Sequence, residues 1–272
     1  MRITLILLSF VLSFYSCQKN TITGRSQLIL LDEKELQQMA TSEYKSFLTK
    51  NKVVGPDSNH GREMVSRVGK RIAAAVKDFL TRQGKPELLE GYQWEFNLVD
   101  SKEVNAWCMP GGKVVVYTGL LPVTKDEAGL AVVMGHEIAH AVAKHGNERM
   151  SQGLLQQMGG MALSVAVANK PAQTQQIFLD AYGIGSTVGG TLPFSRKQEL
   201  EADRYGLIFA AIAGYDPREA SGLWERMAKM SAGQKPPEIL STHPSDETRI
   251  EKVKEYAREA MNYYKPENQL GK

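Results

Sequence analysis

The run His136-Glu137-Ile138-Ala139-His140 places two imidazoles and a carboxylate within five residues, in the pattern HExxH. On an α-helix, residues four apart share one face about one turn apart, so both rings can reach a single tetrahedral Zn²⁺. Glu137, next to the first imidazole, then faces the open position of the metal. There it can take a proton from a water acidified by the zinc and later pass it to a leaving amine. The neighbouring residues favour the helix this chemistry needs. Asp126 and Glu127 set negative charge at its positive end, and Leu130, Ala131, Val132, Val133, Met134, Ile138, Ala139, Ala141 and Val142 continue it. A helix this apolar is buried, and two histidines on it need partners.

A catalytic zinc takes three protein ligands and keeps a fourth position open. The third is sought downstream, in the stretch from Ser195 to Gly206, where Glu199 and Asp203 again stand four apart on an expected helix. Glu199 would complete a His₂Glu site, and Asp203, one turn on, would accept the free ring N–H of a ligand histidine. Glu201 points about 160° away from Asp203 and about 200° away from Glu199, so only one of the two glutamates can face the metal. Glu201 is the second choice. The same helical extrapolation turns His145, nine residues after His136 and about 180° round, away from the metal, leaving it structural or paired with Glu148. His60 falls in a polar loop, and Cys108, between Trp107 and Met109, reads as a small buried hydrophobe.

These groups must be held by a larger frame. Helical periodicity runs to about Lys50 and again from about Gly61 to Leu80, with Asn51 to His60 as the loop between. Tyr92 to Val99 and Lys113 to Tyr117 read as two strands separated by a segment containing Pro110-Gly111-Gly112, and antiparallel pairing is expected. An edge of that sheet beside the HExxH helix could hold a peptide in extended form through its backbone. Gln152 to Gly190, rich in Gly, Ala and Met, reads as core helices and partial lid between the two ligand helices. A charged helix is expected from about Ser245 to Tyr264. The fold class is therefore α+β, mainly helical, with a small antiparallel sheet beside the HExxH helix.

Six blocks in order carry a family resemblance: TGRSQLILLDEKEL from Thr23, NAWCMPGGKVVVYTGLL from Asn105, HEIAHAVAKHGNERMS from His136, SRKQELEADRYG from Ser195, AGYDPREA from Ala213 and STHPSDETRI from Ser241. Together they resemble the CAAX-prenyl-protease-like zinc metallopeptidases, and most of all their bacterial periplasmic lipoprotein branch. The likeness implies a gluzincin metallopeptidase domain, and it implies that Glu199, opening the ExxxD pattern, is the third zinc ligand. It also puts Asn105 and Ala106 on the substrate side of the sheet and brings His243 close to the active site. His243 would either donate to the oxyanion of the tetrahedral intermediate or bind zinc as a fourth ligand that keeps the enzyme closed.

Composition fits an enzyme of this size: 272 residues, 42% hydrophobic and 23% charged. The net charge of +3, with basic residues scattered, argues against nucleic acid as a partner. Arg2 followed by the apolar run Ile3 to Ser16 reads as a secretory signal too short to span a bilayer comfortably. Ser16-Cys17 at its end resembles a lipoprotein processing site, which would acylate Cys17 and anchor the chain to a membrane, the outer one favoured, on its periplasmic side. The expected organisation is a signal over 1–16, a polar tether over 17–24, a zinc metallopeptidase domain over 25–265 and a tail over 266–272. The expected function is an envelope zinc endopeptidase with one Zn²⁺ per chain, acting on misfolded or specific envelope proteins. The rival reading is an envelope chaperone or binding protein with a closed zinc site. Glu137 counts against it, because closed structural sites have four protein ligands and no adjacent general base.

Overall fold

In the computed structural model, which describes residues 17–55, 60–158, 171–184, 195–231, 238–243 and 247–266, the chain begins with a hairpin. Cys17–Lys19 (β1) pairs antiparallel with Ser26–Leu28 (β2). The residues assigned to a tether are thus folded rather than free, and buried Asn20 donates through Nδ2 to the carbonyl of Ala143 at 2.6 Å. Two helices follow, Glu33–Lys50 (α1), capped by the Asp32 carboxylate, and His60–Arg82 (α2). Both match the helical periodicity of the sequence. The expected signal over 1–16, the side chain of Cys17, residues 56–59, 159–170, 185–194 and 267–272, and Pro244 lie outside the described residues.

Glu95–Val99 (β3), Ala106–Met109 (β4) and Lys113–Tyr117 (β5) form a three-stranded sheet in the order β3-β5-β4. The β4–β5 pair is antiparallel, as expected of the small sheet. The pairing of β3 with β5, however, is parallel. The reason is that Pro110-Gly111-Gly112 turns the chain between β4 and β5, not between β3 and β5; the extra strand adds a second reversal. Gly111 and Gly112 take φ of 78° and 82°, and a side chain on Gly112 would collide with the Trp94 ring. Every residue of β4 and β5 is buried because the sheet has helices on both faces. Cys108, Val114 and Val116 belong to a core shared with α2 and the HExxH helix, whereas Trp107, Met109, Val115 and Tyr117 pack with Leu36 and Tyr44 of α1.

The remaining helices are Glu127–Val142 (α3), His145–Met158 (α4), Pro171–Ala181 (α5), Arg196–Ile212 (α6), Glu219–Ser231 (α7), Glu238–Thr242 (α8) and Glu247–Ala260 (α9). A one-turn helix, Leu121–Thr124, leads into α3. Helices α3 and α6 cross at their glycines: a Cβ on Gly135 would sit 2.6 Å from the carbonyl oxygen of Gly206, and one on Gly206 would sit 2.7 Å from the backbone nitrogen of His136. No other residue type allows so close an approach, and it is this contact that brings the two candidate ligand helices together. Among the described residues no helix is long and apolar enough to cross a membrane.

Candidate metal centre

Helix α3 starts where its chemistry requires, with the Asp126 carboxylate accepting the Gly129 amide at 2.9 Å. All residues from Gly129 to Val142 are buried, so His136 and His140 project into protein rather than solvent. Helix α6 starts with a capping box, in which the Ser195 hydroxyl accepts the Gln198 amide and the Gln198 side chain accepts the Ser195 amide. That start fixes the turn bearing Glu199 and, one turn on, Asp203.

Four donor atoms converge. His136 Nε2 lies 3.0 Å from His140 Nε2 and 3.2 Å from His243 Nδ1, while Glu199 Oε1 lies 3.3 Å from His140 Nε2 and 2.9 Å from His243 Nδ1. His136, His140, Glu199 and His243 are all buried, and they are the one group among the described residues able to hold a metal ion with three or more such donors. The spacing tests the fit. Ligands about 2.0–2.1 Å from a tetrahedral Zn²⁺ stand about 3.3 Å from one another along the edges of the tetrahedron. The observed separations bracket that length, and two imidazoles, a third imidazole and a carboxylate are the donor set zinc prefers.

The ring tautomers follow from the outer contacts. His136 Nδ1 approaches Asp203 Oδ1 at 2.9 Å, somewhat off the ring N–H axis, as expected for Asp203 one turn beyond Glu199. Burial lowers the His136 pKa, but the Asp203 carboxylate outweighs it and holds the ring above the usual imidazole range. His140 is pushed well below that range by burial and by the His136 ring, so it is neutral and can present a lone pair. Burial pushes Glu199 up, yet Arg249 and His243 more than reverse this and hold it well below the usual carboxylate range.

Arg249 is the functional residue that sequence reasoning left out. It is buried, its Nε and Nη2 grip both oxygens of Asp203 at 2.7 and 2.9 Å, and its Nη1 lies 2.5 Å from Glu199 Oε2. Its guanidinium also covers the Trp224 ring, 4.0 Å from the centroid. A bidentate fork of this kind fixes the orientation of a carboxylate as well as its charge. The available signal was an arginine six residues after His243, at the start of a helix with no acidic partner in its own first turn besides Glu247.

Glu137 is buried, its pKa raised mainly by burial and pulled back by His243. Its Oε1 lies 3.5 Å from His243 Nε2 and has no hydrogen-bond partner among the described residues. Buried carboxylate oxygens are ordinarily bonded, so this one is free for an incoming group. An apolar cavity lined by Val133, Leu223, Trp224, Met227 and Ile239 adjoins Glu137 and His243. Asn105 and Ala106 begin the edge strand β4, which packs on α3; both are buried, and Asn105 accepts the Tyr117 amide through its carbonyl.

Two expectations change. Glu201 is turned away from the metal donors and bonds instead to His145 and Arg25. His145 does not lie across the helix from the site; its Nδ1 is 2.9 Å from His140 Nδ1, and Glu148 pairs with Arg25. The helical extrapolation failed because α3 ends at Val142 and Lys144, at a φ of 57°, breaks the chain before α4. Cys108 is a free buried thiol, as expected.

Comparison with known proteins agrees with this geometry. The chain is 41% identical over 161 residues to the mitochondrial metalloendopeptidase OMA1 of Arabidopsis thaliana, covering 59% of this chain and 31% of that one. It is 38% identical over 199 residues to OMA1 of Schizosaccharomyces pombe, covering 72% and 53%. With the beta-barrel assembly-enhancing protease of Escherichia coli it shares 30% identity over 162 residues, covering 58% and 33%. The chain thus spans about a third to a half of the length of these relatives. The model of peptidase family M48 matches residues 65–257, from within α2 through α9, and so takes in all four converging donors, Glu137, Asp203 and Arg249; the chain belongs to that family.

Proposed function

We propose that the chain is a zinc endopeptidase of the cell envelope, in which His136, His140 and Glu199 hold one Zn²⁺ and Glu137 is the general base. The observation that carries this reading is the set of donor separations near a tetrahedral edge with a buried, unbonded carboxylate oxygen beside it. When bound, zinc supplies Lewis acidity, polarising the scissile carbonyl and acidifying the attacking water. Glu137 takes that proton on Oε1 and returns it to the leaving amine, and its burial raises its basicity for the task. Asp203 fixes the His136 ring through Nδ1, and Arg249 holds Asp203 and Glu199 together from behind. The edge strand β4, from Asn105 and Ala106 onward, presents the peptide backbone, and the apolar cavity beside Glu137 excludes water and takes a nonpolar side chain.

Envelope proteins, misfolded or specific, are the proposed substrates, and the apolar run ending at Cys17 supports export with acylation at that residue. The name of the Escherichia coli relative, a beta-barrel assembly-enhancing protease, is consistent with such a setting. A second reading has one observation in its favour: His243 Nδ1 lies among the donors, where it would fill the fourth position and close the site. Closure of this kind fits a gated enzyme, in which His243 must leave before substrate enters. It also fits a chaperone with a sealed zinc.

One casein-cleavage assay on the zinc-loaded chain separates these readings. Glu137→Gln should keep zinc and lose cleavage; cleavage at the wild-type rate would refute the mechanism. His243→Ala should cleave faster than wild type if the ring restrains the metal. It should cleave more slowly with intact zinc if the ring serves the oxyanion, and no change would remove both roles.

A further inference from the structure

The two histidines of α3 are oriented by different means. His136 has a carboxylate at Nδ1, whereas His140 has another histidine: His145 Nδ1 lies 2.9 Å from His140 Nδ1. One of these two nitrogens must carry the proton and the other must accept it. The next contact decides which. His145 Nε2 lies 2.9 Å from Glu201 Oε2, and a carboxylate only accepts, so the His145 proton sits on Nε2 and its Nδ1 is a lone pair. His140 must then donate from Nδ1, which leaves its Nε2 lone pair aimed at His136, Glu199 and the space between them. With the opposite tautomer at His145, the His140 proton would sit on Nε2, and that ring could not bind a metal.

Glu201 is itself held. Arg25 Nε donates to Glu201 Oε1 at 2.8 Å, and the same guanidinium grips Glu148 through both terminal nitrogens at 2.7 Å. Glu148 in turn accepts Gln198 Nε2 at 2.8 Å, the residue that completes the cap of α6. His145 is wholly buried, and Glu148 nearly so. Arg25 leads into β2 of the N-terminal hairpin, which is further seated by Asn20 and Gln27 on the Ala143 carbonyl at the end of α3. Arg25 also lies upstream of the segment matched by the family model.

We propose that His145 is a positioning residue that fixes the tautomer and ring orientation of His140, and that Glu201 and Arg25 lock His145 in that role, coupling the N-terminal hairpin to the metal centre. This rests on the reading of His140 as a metal ligand.

The test is zinc affinity, measured by chelator competition on the purified full chain, alongside thermal unfolding of the metal-free protein. His145→Leu keeps the volume but removes the acceptor, and its zinc affinity should fall about 10–100-fold, the usual effect of losing an outer partner of a ligand. His145→Gln can accept through its carbonyl and donate to Glu201 through its amide, and should recover most of that loss. Arg25→Gln, at the partly exposed outer end, should leave the protein folded and weaken zinc several-fold. A purely structural role would lower the unfolding temperature of the metal-free protein and leave zinc affinity alone. Wild-type affinity in a folded His145→Leu overturns the proposal. If that variant does not fold, wild-type affinity in Arg25→Gln overturns it. A wild-type chain that takes up no zinc overturns the metal reading itself, an outcome distinct from any difference among the variants.

Discussion

Replacing Arg249 by Met removes the one cation that grips Asp203 and Glu199 from behind. Both carboxylates are at most 4% exposed, and Arg249 is 2% exposed. Three contacts disappear together: the two bonds to Asp203 at 2.7 and 2.9 Å and the approach to Glu199 at 2.5 Å. Methionine has the length to keep the Trp224 face covered, so the loss is electrostatic rather than a cavity. Removing one partner of a buried ion pair and leaving the other charged costs about 3–5 kcal/mol. In a chain of this size each kcal/mol lowers the unfolding temperature by about 2–4 °C, so the metal-free variant should melt roughly 10 °C below wild type. Arg249→Lys keeps the charge and loses the fork, and should fall by about 1.5–3 kcal/mol, the worth of one charge-assisted bond. The assay is circular dichroism of the metal-free chain through its thermal transition, with zinc affinity measured in parallel. Zinc neutralises part of the freed Glu199 charge, so the deficit should narrow when metal is added. An Arg249→Met chain within about 1 kcal/mol of wild type would refute the claim that this guanidinium organises the two carboxylates.

Gly206→Ala introduces a Cβ 2.7 Å from the His136 amide nitrogen, a backbone neighbour that cannot swing aside. Helices α3 and α6 must part, at a cost of about 1–3 kcal/mol, and zinc affinity should fall because Glu199 travels with α6; unchanged zinc affinity would contradict the crossing argument. Tyr44, buried and accepting the Asn97 amide at 2.7 Å, has its pKa pushed up to about 12, mainly by burial. A raised folded pKa means that its contribution to stability is complete below the usual tyrosine pKa near 10 and is lost as pH rises towards 12. Denaturant unfolding between those pH values should show a decline that is smaller in Tyr44→Phe; an identical decline would assign it to other tyrosines.

The chemistry of α3 was open to reading because its ligands, base and cap lie within one helix of 16 residues, where spacing is geometry. Glu199 and Asp203 were accessible for the same reason, being one turn apart behind a capping serine. What crosses between elements was not. Arg249 reaches Asp203 from another helix, 46 residues away, and nothing in its local sequence says which carboxylate it will meet. His145 was misplaced because the break at Lys144 is a single left-handed residue, invisible to a periodic pattern that runs straight through it. The parallel pairing of β3 with β5 escaped because the four-residue strand Ala106–Met109 is too short and too uniformly apolar to alternate. The glycine crossing of α3 and α6 needed both helices in place before either glycine had meaning.

The central claim is that His136, His140 and Glu199 hold a single zinc, and the zinc content of the purified chain tests it most directly. After removal of metal and exposure to a small excess of Zn²⁺, the wild-type chain should retain one equivalent through gel filtration, and so should Glu137→Gln. Retention should be lost in His140→Ala and in Glu199→Ala. A full equivalent of tightly held zinc in either of those two variants, or none in the wild type, would contradict the account.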